Sequence, residues 1–260
     1  MRILGVDFTS APRSAKPITV CVSTLKGSFL SVHEIRPLND FKGFEALLLE
    51  PGPWIGGFDF PFGLPAELVR DLGWPTSWRS LVAHCSSLSR IRFRKVLDDY
   101  RASRPAGRKY AHRATDRPAG SSSPMKLVNP PVALMFHEGA PRLADAGVHV
   151  PGLAQGDRKR VALEAYPGLL ARSIIGRVSY KNDAKDKQTP ERRRARSRIV
   201  SAIPIKTDSK TRSRLIDDAT GDSLDAVLCA VQAARAMKKR NYGIPRGTLA
   251  CEGWIVGARG

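Results

Sequence analysis

Four carboxylate sites in this chain could do chemistry together: Asp7, Asp59, Glu164 and the pair Asp222/Asp225. Each closes or faces an expected strand, or opens an expected helix, so one sheet edge could gather them. Carboxylates converging from several elements are the hard oxygen ligands that Mg²⁺ or Mn²⁺ takes. Such an ion serves phosphoryl transfer by activating water and stabilising the leaving oxygen. Asp59 carries the strongest single argument. It stands between Phe58 and Phe60 in the apolar run Trp54 to Phe60, and an unpartnered carboxylate is costly to bury. Glu164, between Leu163 and Ala165, repeats that pattern more weakly. Asp222 and Asp225 are three residues apart, so a helix beginning there points both the same way. A plainer account stands beside each: Asp222 as an N-cap, Asp225 as a first-turn acid favoured by the helix dipole, and Asp7 as a turn cap.

The rest of the chain is basic. Lys and Arg number 43 against 24 Asp and Glu, a net charge of +19 and a pI near 10.4 over 260 residues. A field of one sign attracts polyanions, so nucleic acid, DNA or RNA, is the expected partner; charge kept for solubility is the simpler alternative. Arg13 and Lys181 are candidate phosphate contacts, though a solvated surface charge explains either. Arg192, Arg193 and Arg196 cover several faces of one expected helix, so they cannot all touch one backbone. Trp74, Trp78, Tyr110 and Tyr180 offer stacking faces or core packing. Cys21, Cys85, Cys229 and Cys251 are scattered without CxxC spacing, which leaves disulfides, structural zinc and a Cys nucleophile without support. No P-loop or GxGxxG occurs. No apolar run nears the ~18 residues of a membrane span, and the apolar start Ile3 to Val6 stops at Asp7, short of the roughly 7–15 residues a signal peptide needs. A cytoplasmic protein is expected, its oligomeric state open.

The elements that must position the acids follow from patterning. Arg2 to Phe8 is an expected strand. Pro17 to Leu25 and Ser28 to Ile35 alternate apolar and polar residues around Lys26-Gly27, a hairpin signal, so the first three elements form an antiparallel meander. Asp40 caps a short helix with Phe41, Phe44, Leu47 and Leu48 on one side. Trp54 to Phe60 is a buried strand with Asp59 near its C-terminal end, turned by Pro61-Phe62-Gly63. Helices are expected over Ala66 to Leu72, Trp78 to Tyr100 behind a Pro75-Thr76 cap, and Pro130 to Leu143. The basic stretch Arg90 to Pro124 is expected as an insertion or mobile lid. Val161 to Tyr166 forms a strand carrying Glu164, and Pro167 opens the next helix. Within a second basic region, Lys181 to Arg214, a helix opens at Thr189-Pro190-Glu191. Gly221 to Lys239 is the strongest amphipathic helix, with Leu224, Val227, Leu228, Val231 and Ala234 on one face. Gly253 to Gly257 docks on the core.

Gly5-Val6-Asp7-Phe8-Thr9-Ser10, Phe58-Asp59-Phe60-Pro61-Phe62-Gly63-Leu64-Pro65, Glu164-Ala165-Tyr166-Pro167, Asp222-Ser223-Leu224-Asp225-Ala226 and Glu252-Gly253-Trp254-Ile255 together resemble the successive blocks of the DUF429 family. Its members are described as predicted nucleases with a ribonuclease H-like fold. The first-strand Asp and the closing DxxD also resemble RuvC-type Holliday junction resolvases. The resemblance implies an α/β fold, a ribonuclease H-like mixed sheet of a three-strand antiparallel meander plus parallel strands, flanked by helices. It is taken as a single domain over 1–260 with a basic helical insertion around 75–150. It further implies a metal-dependent nuclease with Asp7, Asp59, Glu164, Asp222 and Asp225 as the acidic cluster. Two ions roughly 3.5–4 Å apart would be bridged by Asp7, with Asp59 and Asp225 on either side and Glu164 or Asp222 completing a shell. Two alternatives remain: a non-catalytic nucleic-acid-binding protein on the same fold, and an actin-like or sugar-kinase-like phosphotransferase. The latter needs a second Gly-rich phosphate loop, and the late glycines 243, 247, 253 and 257 are not clustered as one.

Overall fold

The computed structural model describes residues 1–259. Strands β1 (Arg2–Asp7), β2 (Ile18–Lys26) and β3 (Phe29–Leu38) form the expected antiparallel meander. Helix α1 (Phe41–Leu49) starts where expected, with the Asp40 carboxylate accepting the Gly43 amide at 2.8 Å. The chain then returns as β4 (Trp54–Asp59), parallel to β1. A helical block follows: α2 (Ala66–Asp71), α3 (Trp78–Ser87), α4 (Arg90–Ser103), α5 (Asp116–Ala119) and α6 (Val132–Asp145). The short β5 (Val148–His149) leads to β6 (Asp157–Glu164) and α7 (Pro167–Ile175), and α8 (Pro190–Ala202), β7 (Ile205–Lys206), α9 (Ser209–Asp217) and α10 (Asp222–Met237) complete the order. The result is a mixed seven-stranded sheet, β5-β6-β4-β1-β2-β3-β7, in which β2 alone runs against the rest.

Strand alternation divides the apolar residues between two cores. Leu4, Val6 and Phe58 face one side, where Phe8, Phe44, Phe60, Phe62, Trp78, Phe93 and Phe136 join them. Ile3, Ile55, Val161 and Leu163 face the other and meet α7, α8 and α10. Several sequence expectations change in detail. Trp78 to Tyr100 is two helices, because the chain leaves helical geometry at Leu88 and the Ser89 hydroxyl caps a new start by accepting from the Arg92 amide at 3.2 Å. Residues 90–124 do not stand off as a lid: Phe93, Leu97, Tyr100, Ala111 and Ser123 are buried, and Arg113 is buried with them. α10 is not amphipathic but buried on nearly every side, since its polar-looking faces are filled by Ala226, Ala230 and Ala233, small enough to lie against the sheet. Its N-cap is Gly221 at φ 78° and not Asp222, which occupies the first helical position. Among the described residues no helix is long and apolar enough to cross a membrane.

Candidate metal centre

The parallel pairing of β1 with β4 places Asp7 opposite Asp59 at the C-terminal ends of adjacent strands. Two residues earlier the same register places Gly5 opposite Gly57. Both glycines face α10. A Cβ on Gly5 would stand 1.9 Å from the Ala226 carbonyl oxygen, and one on Gly57 would stand 2.3 Å from that of Cys229. The missing side chains let the helix backbone lie directly on the sheet, and this close approach delivers Asp225, in the first turn of α10, to the two strand-end acids. One carboxylate oxygen from each of Asp7, Asp59 and Asp225 lies within 4.8 Å of the others. Asp7 and Asp225 are buried, while Asp59 keeps an accessible edge.

Three carboxylates this close repel one another in a poorly solvated place, which favours their protonated forms. Burial pushes Asp7 well above the usual carboxylate range, and neighbouring Asp225, Asp222 and Asp59 add to it against the opposing pull of Lys181. Burial and then Asp225 raise Asp59 to about 7, again partly offset by Lys181. Asp225 is also raised by burial, with Lys181 and Tyr180 working against the rise. Its carboxylate is held by the Lys181 ammonium and by the Tyr180 hydroxyl, which donates at 2.5 Å. An oxygen-only donor set with excess negative charge fits a hard divalent cation such as Mg²⁺ or Mn²⁺.

Glu164 does not join this cluster. In the β4–β6 register it pairs with Phe58 and not with Asp59, so alternation turns it to the opposite sheet face. There Arg113 donates to both its oxygens at 2.7 and 2.8 Å, and the Phe62 amide donates at 3.0 Å. Arg113 also holds Asp116 at 2.9 Å and the Glu252 carbonyl at 2.9 Å. Glu164 is thus one partner of a buried ion network that ties the loop after β4 to the C-terminal segment. Asp222 stands beside the cluster, its two oxygens taken by the Lys16 ammonium at 3.0 and 3.1 Å.

The basic candidates separate in the same way. Lys181 is a partner of the acids and not a free surface charge. Arg196 is buried and donates to the Ile216 and Tyr180 carbonyls at 2.6 and 2.7 Å, which removes it from any nucleic-acid surface. Arg193 pairs with Asp217 at 2.7 Å, Arg192 reaches the Ser179 hydroxyl at 3.3 Å, and Arg13 is exposed in the loop after β1. A cleft of about 690 Å³ opens from Asp59 and Asp225 along Lys181 and Tyr180 to Arg177, Arg172 and Tyr166. Sequence reading missed Lys16, Tyr180 as an Asp225 donor, and Arg113. Their partners lie 206, 45 and 51 residues away, distances that local patterning does not span.

The class these features define is a mixed α/β protein with a carboxylate triad at the C-terminal edge of its central strands. The chain belongs to the DUF429 family, described as protein of unknown function, which it matches over residues 5–248. No curated protein and no solved structure matches it.

Proposed function

We propose that this protein is a metal-dependent nuclease with a ribonuclease H-like fold, hydrolysing phosphodiester bonds of nucleic acid. The carrying observation is the triad: Asp7, Asp59 and Asp225, from two strand ends and a helix start, with ligand oxygens within 4.8 Å in a chain of net charge +19. The sheet supports the fold. A β3-β2-β1-β4-β6 run with only β2 reversed is the meander-plus-parallel arrangement of that fold class. Asp7, Asp59 and Asp225 would hold a Mg²⁺ or Mn²⁺ ion, which when bound supplies water activation and charge neutralisation. Lys181 and the exposed cleft arginine Arg177 would meet the phosphates, while Arg172, tied to the Ala119 carbonyl, lies over the Tyr166 ring at 5.3 Å and shapes the cleft wall.

The test is Mg²⁺- or Mn²⁺-dependent cleavage of a panel of DNA and RNA, single-stranded, duplex and branched, by wild type and Asp7→Asn. Removing an ion's supporting partners costs 10–100-fold, so loss of a direct ligand predicts a fall of at least ~100-fold. Equal cleavage by both proteins rejects the proposal. Wild type that binds nucleic acid with a steep salt dependence but cuts none of the panel would instead be a binding protein on this fold.

A further inference from the structure

Lys181 is where the centre departs from a cage of carboxylates. Its ammonium contacts one oxygen of Asp225 while Tyr180 donates to the other. The dipeptide that carries it is anchored. Arg196, itself buried, reaches from α8 to the Tyr180 carbonyl at 2.7 Å and to the Ile216 carbonyl of α9 at 2.6 Å. The Lys181 stem lies on the glycine that caps α10, where a Cβ on Gly221 would be 2.8 Å from the Lys181 Cβ. The backbone at Tyr180 is thus tied to α8, and the half-buried Lys181 stem rests on the start of α10, which aims its ammonium at Asp225. Lys16 does the equivalent at Asp222, at 3.0 Å.

The charges decide what can enter. Asp7, Asp59 and Asp225, when ionised, carry three negative charges and Lys181 returns one, while Asp222 is matched by Lys16, whose other partner Asp183 at 3.4 Å is exposed to solvent. The remainder matches one divalent ion. A second ion would have to share Asp225 with an ammonium already in contact, and like charges at such separation repel strongly where water is scarce. We infer that Lys181 is the built-in second cation of this centre, so that Asp7, Asp59 and Asp225 take a single divalent ion beside it and not a pair. An ammonium there offers a phosphate oxygen positive charge and donors without a bound water of its own. The inference rests on the reading of the triad as a metal centre and corrects the two-ion arrangement expected from family resemblance.

Counting bound Mn²⁺ by electron paramagnetic resonance on the full chain tests it, without reference to activity. Wild type is expected to bind one Mn²⁺ per chain, lost in Asp7→Asn. Lys181→Met is expected to bind two, with Lys181→Gln as a second neutral variant should the first not fold, and Lys181→Arg is expected to return the count to one. Two ions in wild type overturn the inference and leave the metal centre standing. So does one ion in wild type and in the neutral variants alike, whatever the change in affinity, since Lys181 would then compete for the ion's place. No ion in wild type overturns the metal centre and this inference with it.

Discussion

At the scale of single residues, Asp59 and Glu164 show how similar sequence contexts acquire different work. Both follow buried apolar residues at the end of a strand, but Asp59 is kept at about 7 by burial and Asp225, while Glu164 is fastened to Arg113. The Asp59 proton has a consequence with a definite sign. Its folded value lies above the unfolded value of about 3.9, so the folded chain holds the proton more tightly. The stability this gives is present at and below the unfolded value, declines as pH rises towards 7, and is absent above it. A divalent ion competes with that proton. Mn²⁺ affinity followed by calorimetry is therefore expected to climb as pH rises through about 7, with protons on the raised Asp7 and Asp225 competing as well; a flat profile across that range would remove Asp59 from the ligand set. Glu164→Gln predicts the opposite division of effects. It takes one of two anions from the buried Arg113 guanidinium, which keeps Asp116, so a loss below the about 3–5 kcal/mol of a fully unpaired buried charge is expected, measurable by denaturant unfolding. Mn²⁺ binding at the triad should change little. A variant of full stability that loses Mn²⁺ would return Glu164 to the ligands.

At the scale of elements, the site is built by one close contact, α10 on β1 and β4. Gly57→Ala places a Cβ where the Cys229 carbonyl already stands. The helix must shift, overpacking costs of about 1–3 kcal/mol are expected, and the shift carries Asp225 away from Asp7 and Asp59. Reduced thermal stability together with weakened Mn²⁺ binding is the expected pair of results; stability lost with Mn²⁺ affinity unchanged would mean that the contact does not set the site. Much of this element plan was legible. Lys26-Gly27 marked the hairpin, Asp40 and Thr189 marked helix starts that the structure keeps, and the acids after β1 and β4 marked strand ends. The role of Gly5 and Gly57 was not legible, because a glycine in a strand says only that something comes close. The true burial of α10 was hidden by its alanines, which read as neutral on a helical wheel. The exclusion of Glu164 depended on a one-residue register between β4 and β6 that no local pattern fixes.

At the scale of the whole molecule, two cores clamp one sheet, and the acidic centre opens at the C-terminal edge of its parallel strands, where α/β sheets commonly place their ligands. Basic charge surrounds it without being uniform in use. Arg113 and Arg196 are spent internally as buried ties, so net charge overstated the free cationic surface. Composition gives the sign of the chain's own charge but not which arginines stay free at the surface, since that depends on pairings such as Arg193 with Asp217. The central claim is that Asp7, Asp59 and Asp225 together hold a divalent ion. Its most direct test is a crystal structure grown with Mn²⁺ at neutral or mildly alkaline pH, read at the manganese anomalous edge. An anomalous peak is expected within ligand distance of oxygens from all three aspartates, and none at Glu164. A triad without a peak, or a peak whose ligands leave out Asp7, Asp59 or Asp225, contradicts the claim.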